Sequence, residues 1–307
     1  MDSQTTRSTV RLLTTDGKGS FSETTYTLPE LEPTDILVKA AMTGVCRSDI
    51  SMMNGDFQLL PEEMHGHEGL GIVAEIGSNV TDVQVGDYVA TRGEPAYADM
   101  YRARANTYVK VPELDPKYII EPVACGINVI MNSFSEIKRR PHAKVCILGS
   151  GFLARVAFQT LNYFPDLVID RIDVVGRSNA NFWGVLKAAP DSDTEYDIII
   201  DLSEKPTLMN VSLKENGLII MAAEKADNVS TNFGQWLWKN AVMHFPSPRS
   251  EHFYGCMKFA VKLIEDGTLS VDKIWTTSYN RETEWKQAFE DANSRSANYS
   301  RGYIKWD

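Results

Sequence analysis

Between Gly44 and Gly71 the chain reads GVCRSDISMMNGDFQLLPEEMHGHEGLG, and this stretch gathers residue types that can do chemistry. It holds a thiol, Cys46, and two imidazoles, His65 and His67, beside the carboxylates Asp49, Glu62, Glu63 and Glu68. Cysteine and histidine are the usual zinc ligands, with Asp or Glu as an occasional third or fourth. Gly44, Gly66, Gly69 and Gly71 let the backbone bend where polar side chains must converge. Spacing alone does not establish a metal site. The stretch has no CxxC pair and no HxxxH pair, so from residue types alone scattered surface polar groups are the favoured reading.

The strings GVCRSD and GHEGLGIVAEIG, followed by VGDYV, resemble the N-terminal signature of the zinc-dependent medium-chain dehydrogenases/reductases, the alcohol and polyol dehydrogenase superfamily. The resemblance implies that Cys46 and His67 bind a catalytic zinc. EPVACGINVI, beginning at Glu121, resembles the E-P segment of polyol, glucose and threonine dehydrogenases, where the glutamate lies at or near the metal. Glu121 is thereby the candidate third ligand, with Glu68 a ligand or a carboxylate close behind. The plain alternative for Glu121 is an acid favouring a helix N-terminus. Cys125, one helical turn on, is expected to be buried rather than ligating. The resemblance makes Ser48 the first relay for a substrate hydroxyl proton, or else a turn hydroxyl. Asp49 orients His67, or else caps a helix. Arg47 reaches a cofactor pyrophosphate or is a surface charge; His65 lines a cleft or is a polar surface substitution.

Such a centre must be positioned, and the surrounding elements say how. VRLLTT, DILVKAAMTGV, GIVAEIG and DYVAT are β-rich runs bounded by turn residues, as in a barrel-like β domain, and AYADMYRARANTYVKVP holds two more. Many zinc-dependent relatives carry a four-cysteine lobe after the V-G-D strand. Here no cysteine lies between Cys46 and Cys125, so one catalytic zinc and no structural zinc is expected. From Lys144 the pattern changes to KVCIL, then GSGFLA, then RVAFQTLNYF: strand, glycine turn, helix, the dinucleotide-binding fingerprint in its proper context. Gly149 serves the tight turn, Gly151 the approach to the pyrophosphate, and Phe152 and Leu153 open the helix whose N-terminus meets the phosphates. The strand RIDVV ends at Gly176, Arg177 and Ser178 without the acid that holds an NAD ribose. Arg177 could pair with a 2′-phosphate or stack on adenine, so NADP(H) is favoured over NAD(H). YDIIID, GLIIMAA and KNAVMHFP continue a parallel sheet. HFYGCMKFAVKLIEDGTL and ETEWKQAFEDA read as helices, and KIWTTSYN and GYIKW as strands returning to the first domain.

The expected fold is α/β: a GroES-like β-barrel catalytic domain from residues 1–121 and 271–307, and a Rossmann doubly wound parallel sheet from 122–270. At 307 residues two domains are affordable. A net charge of −10 argues against nucleic acid or an anionic membrane as the main partner. No apolar run approaches the roughly 20 residues of a membrane helix. The N-terminus lacks an apolar signal core, and four scattered cysteines show no disulfide framework; the expectation is cytoplasmic. The resemblance implies a zinc-dependent NAD(P)-linked dehydrogenase of a small alcohol, polyol or sugar, a homodimer or homotetramer. Two alternatives stand beside it. One is a metal-free quinone or alkene reductase of the same superfamily; the other is a degenerate homologue that binds nucleotide without turnover. Met52–Leu60 and Asn128 are the expected bearers of substrate specificity.

Overall fold

The computed structural model describes residues 8–176, 186–187, 193–203, 211–225, 233–271, 274–296 and 299–306. The chain forms two compact units, residues 1–122 with 271–307, and residues 123–270.

The first unit opens with β1 (Thr9–Thr15) and β2 (Phe21–Thr27), an antiparallel pair of threonine-rich strands, of which the sequence reading found only the first. β3 (Ile36–Gly44) leads into a short helix, α1 (Arg47–Met53), which the sequence offers only through Asp49 as a possible cap. Then come β4 (Gly69–Ile76), β5 (Tyr88–Thr91), β6 (Met100–Ala103) and β7 (Tyr108–Lys110). Alternation along β3 turns Ile36, Val38 and Ala40 inward and exposes Lys39, the period-2 pattern of a strand with one covered face.

α2 (Glu121–Asn132) starts at Glu121 itself, so this acid stands in the first turn of a helix. The second unit continues with α3 (Phe134–Lys138), β8 (Ala143–Leu148), α4 (Phe152–Tyr163), β9 (Ile169–Val175), β10 (Leu186–Lys187), β11 (Glu195–Asp201), β12 (Ser212–Met221), α5 (Phe233–Trp238), β13 (Val242–His244) and α6 (Phe253–Glu265). Its six strands are all parallel in the order β10-β9-β8-β11-β12-β13. Ile198–Ile200 and Leu218–Ile220 are wholly buried, which is why these strands read as unbroken apolar runs. Each such side chain contributes ~1.5–3 kcal/mol of burial. α4 lays Ala154, Ala157 and Leu161 into the same core as Val145 and Ile147. β13 is different: among the described residues it is an edge of this sheet, with Val242 exposed and Met243 and His244 half-buried.

The chain then returns to the first unit through β14 (Trp275–Asn280), α7 (Trp285–Ser294) and β15 (Arg301–Lys305). α7 buries Ala288, Phe289 and Ala292 along one stripe, and Phe289 stacks on Phe21 with ring centres 3.8 Å apart. The first unit's larger sheet runs β14-β15-β3-β4-β5-β7, with β6 also on β3. This order places three strand ends side by side, because Tyr303 pairs with Gly44 and Thr43 with Gly69. Among the described residues no helix is long and apolar enough to cross a membrane.

Candidate active site

Those three strand ends carry the site. β3 runs out at Gly44, two residues before Cys46. β4 begins just after Glu68, and β15 begins at Arg301. Two backbone hydrogen bonds join them: Gly44 N–H to the Glu68 carbonyl, 2.9 Å, and Val45 N–H to the Gly302 carbonyl, 3.0 Å.

Cys46 is the N-cap of α1, and its backbone N–H donates to Asp49 Oδ2 at 3.3 Å, so the acid three residues on closes the helix start. Ser48 Oγ donates to Cys46 Sγ at 3.2 Å. Asp49 Oδ1 lies 3.7 Å from His67 Nδ1, while its other oxygen accepts from Tyr97 Oη at 2.8 Å. The cap and orienting roles of Asp49, set as alternatives by the sequence, are thus compatible with one geometry. Cys46 Sγ, a ring nitrogen of His67 and a carboxylate oxygen of Glu68 lie within 4.8 Å of one another. Glu68 is fully buried, and its carboxylate is bound by the Arg301 guanidinium, which also lies 5.2 Å from the Trp275 ring centre. Glu121 stands outside this cluster. It is buried at the start of α2 with Oε1 3.8 Å from Arg92 Nε.

Burial drives the electrostatics. It lifts the Asp49 carboxyl above its ordinary value, against the pull of His67 and the Tyr97 hydroxyl. It lowers the His67 imidazole, but Asp49 and Cys46 outweigh it and hold the ring well above its usual value. Burial and the neighbouring Asp49 keep the Tyr97 phenol protonated far beyond neutral pH. Proton affinity at His67 marks a place that attracts cations, and a ligating imidazole exchanges that proton for a metal. A cysteine sulfur, an imidazole and a carboxylate oxygen converging so closely is a donor set that suits zinc. With Nδ1 facing Asp49, Nε2 is the nitrogen left to ligate.

In the second unit Gly149 has φ +104°, and a Cβ there would come 3.0 Å from the Leu202 carbonyl oxygen. Gly151 caps α4, and the space its Cβ would take is open, as a backbone cradle for a phosphate requires. Phe152 is buried, so it can offer such a ligand only its backbone; Leu153 is half-buried. Gly176 follows β9, a missing Cβ away from Ser150 Oγ. Arg177 and Ser178 lie outside the described residues.

Several sequence expectations need correcting. His65 neither lines a cleft nor decorates the surface. It is buried, with Nδ1 2.7 Å from Thr14 Oγ1 and Nε2 3.0 Å from the Leu60 carbonyl, so it ties β1 to the loop before β4. Cys125 is half-buried where full burial was expected, and it is not part of the Cys46–His67–Glu68 cluster. Asn128 is buried, with its amide donating to the Ser247 carbonyl at 3.2 Å, which makes it a loop anchor. Arg47 is half-buried in the first turn of α1. Tyr97, Arg92 and Arg301 were missed. Arg301 is 233 positions from its partner Glu68, and only a strand alignment could have brought them together.

A β unit bearing a cysteine–histidine–carboxylate cluster, and a parallel-sheet unit with a glycine loop opening a helix, define an architecture of the GroES-like and Rossmann kind. Residues 32–115 match the alcohol dehydrogenase GroES-like domain family. An alcohol dehydrogenase of Geobacillus stearothermophilus is 29% identical over 163 residues, 43% of this chain and 48% of that protein. D-arabinitol dehydrogenase 1 of Uromyces fabae is 22% identical over 90% of this chain and 91% of its own. The solved alcohol dehydrogenase TADH of Thermus sp. ATN1 superposes with a TM-score of 0.76 at 18% identity, covering 96% of this chain and 99% of that one. Over several curated relatives the chain spans about half their length. Residues 32–115 thus carry the likeness to alcohol dehydrogenase GroES-like domains, and the relatives above are alcohol and polyol dehydrogenases.

Proposed function

We propose that this protein is a zinc-dependent dehydrogenase that moves a hydride between a small alcohol, polyol or sugar hydroxyl and a nicotinamide cofactor, NADP(H) before NAD(H). The observation that carries the reading is the mutual approach of Cys46, His67 and Glu68 within 4.8 Å. These three would hold the metal, with Glu68 in the third position in preference to Glu121. Zinc, when bound, supplies Lewis acidity at a substrate oxygen. The rest falls to the chain. Ser48 directs its own proton to the Cys46 sulfur, so its lone pairs remain to accept a hydrogen bond from the substrate hydroxyl and orient it. Asp49 fixes the His67 ring. Gly149 to Leu153 bind the pyrophosphate at the α4 N-terminus. The likeness to an arabinitol dehydrogenase supports a polyol-type substrate. Four free cysteines, one of them a required thiolate, suit a reducing cytoplasm.

Elemental analysis of protein purified without added zinc tests this. About one zinc per chain is expected, lost on chelation together with alcohol-dependent reduction of NADP. A folded, metal-free chain that binds NADPH would sink the dehydrogenase and leave the metal-free reductase. Titrating the same protein with NADPH and NADH reads the cofactor preference, and tighter NADH binding would reverse it.

The assembly is read as a homodimer through the second unit. β13 is an open sheet edge, and Phe233, Leu237, Trp238 and Phe245 beside it are 68%, 78%, 86% and 65% exposed. An edge strand flanked by such an apolar patch calls for cover. Light scattering should give twice the chain mass, and Trp238→Glu should halve it. A monomeric wild type at micromolar concentration would contradict the dimer.

A further inference from the structure

The geometry points to Tyr97 as a positioning residue that ties the two ligand-bearing segments together and decides which nitrogen His67 offers to a metal. This inference rests on the zinc reading of the site and adds a component to it.

Tyr97 is fully buried. Its hydroxyl donates to Asp49 Oδ2 at 2.8 Å, the oxygen that also accepts the Cys46 N–H at 3.3 Å. Two donors therefore occupy Oδ2, and Oδ1 is left facing His67 Nδ1 at 3.7 Å. The backbone of the same residue is pinned to the other segment. Tyr97 N–H donates to the His65 carbonyl at 3.4 Å, and Ala96 N–H to the Gly66 carbonyl at 2.9 Å. Gly66, at φ +77°, clears the way: a Cβ there would fall 2.6 Å from the Tyr97 ring. One residue thus holds the Cys46–Asp49 turn by its side chain and the His65–His67 loop by its main chain.

The ring is placed by packing and not by its hydroxyl. It meets Phe21 and Phe289 edge-on, with centres 5.7 and 5.4 Å away. Tyr97→Phe should therefore keep the fold and remove the 2.8 Å tether on Asp49, together with the longer 3.3 Å contact of the same hydroxyl with the Gly44 carbonyl. A freed carboxylate turns, and His67 loses the partner that reserves Nε2 for the metal.

The test is made on the full chain. Zinc and cobalt(II) dissociation constants are measured by chelator competition for wild type, Tyr97→Phe, Asp49→Asn and the double variant. Tyr97→Phe is expected to weaken both metals by about 10–100-fold. In the Asp49→Asn background it should add almost nothing, because the two act as one unit. Unchanged affinity, or losses that simply multiply, would overturn the inference. A second readout needs no metal: nitrogen-detected NMR of His67 at a pH where the ring is neutral. Wild type should show the Nδ1–H tautomer and Tyr97→Phe a mixture; the same tautomer in both would refute the tether. A wild type that takes up no metal defeats the dehydrogenase reading instead, and the tautomer still decides the role of Tyr97.

Discussion

Replacing Arg301 by methionine is expected to destabilise the metal-free first unit by about 3–5 kcal/mol, the cost of leaving a buried carboxylate without its partner. Glu68 has no exposed surface, and Arg301 supplies the guanidinium bound to its carboxylate. Burial disfavours the Arg301 charge, but the Glu68 carboxylate outweighs it and holds the guanidinium above its already high value. Arg301→Lys keeps the charge but loses the planar fork, and should fall between the two. Glu68→Gln combined with Arg301→Met should recover part of the loss, since removing both charges leaves no buried orphan. Urea unfolding of the four proteins, stripped of metal, measures this. A transition for Arg301→Met within about 0.5 kcal/mol of wild type, the range of an ordinary surface change, would mean that the pair does not hold the strand ends.

His67→Ala should cost at least about a thousandfold in alcohol-dependent cofactor reduction. Lewis acidity is worth several kcal/mol at the reacting oxygen, and about 4 kcal/mol corresponds to three powers of ten. The variant should also lose its metal. NADPH binding should survive, because the glycine loop belongs to the other compact unit. Glu68→Ala and Glu121→Ala separate the two candidate third ligands. Glu68 lies in the cluster and Glu121 faces Arg92, so the first should lower metal affinity much more than the second. Full turnover in His67→Ala, with metal retained, would end the proposal. A larger effect from Glu121 than from Glu68 would return Glu121 to the ligand set.

How much could be seen beforehand depended on the range of the interaction. The parallel sheet was legible because each strand advertises its own burial: Ile198–Ile200 and Leu218–Ile220 are apolar throughout. The glycine loop was legible because its three functions lie within six residues. β2 was not, since FSETTYT alternates weakly and buries only Phe21. α1 showed only as Asp49's possible capping role, because a helix of seven residues has too little periodicity and its N-cap is a cysteine in place of the usual hydroxyl or carboxylate. His65 was misjudged because nothing local says that Thr14, Leu60 and the ring will meet.

The sequence by itself determined the parts list: a cysteine and a histidine in their motifs, carboxylates near and far, and a phosphate loop between strand and helix. The resemblance to a dehydrogenase family followed from those strings. Tertiary structure alone decided how the carboxylates are used. Pairing β15 with β3, and β3 with β4, brings Arg301 to Glu68 and joins the Cys46 turn to the His67 loop. Arg92, at the end of β5, faces Glu121 instead. The physical reason is that a carboxylate's role is set by its partner, and here every partner arrives through sheet register across tens to hundreds of residues.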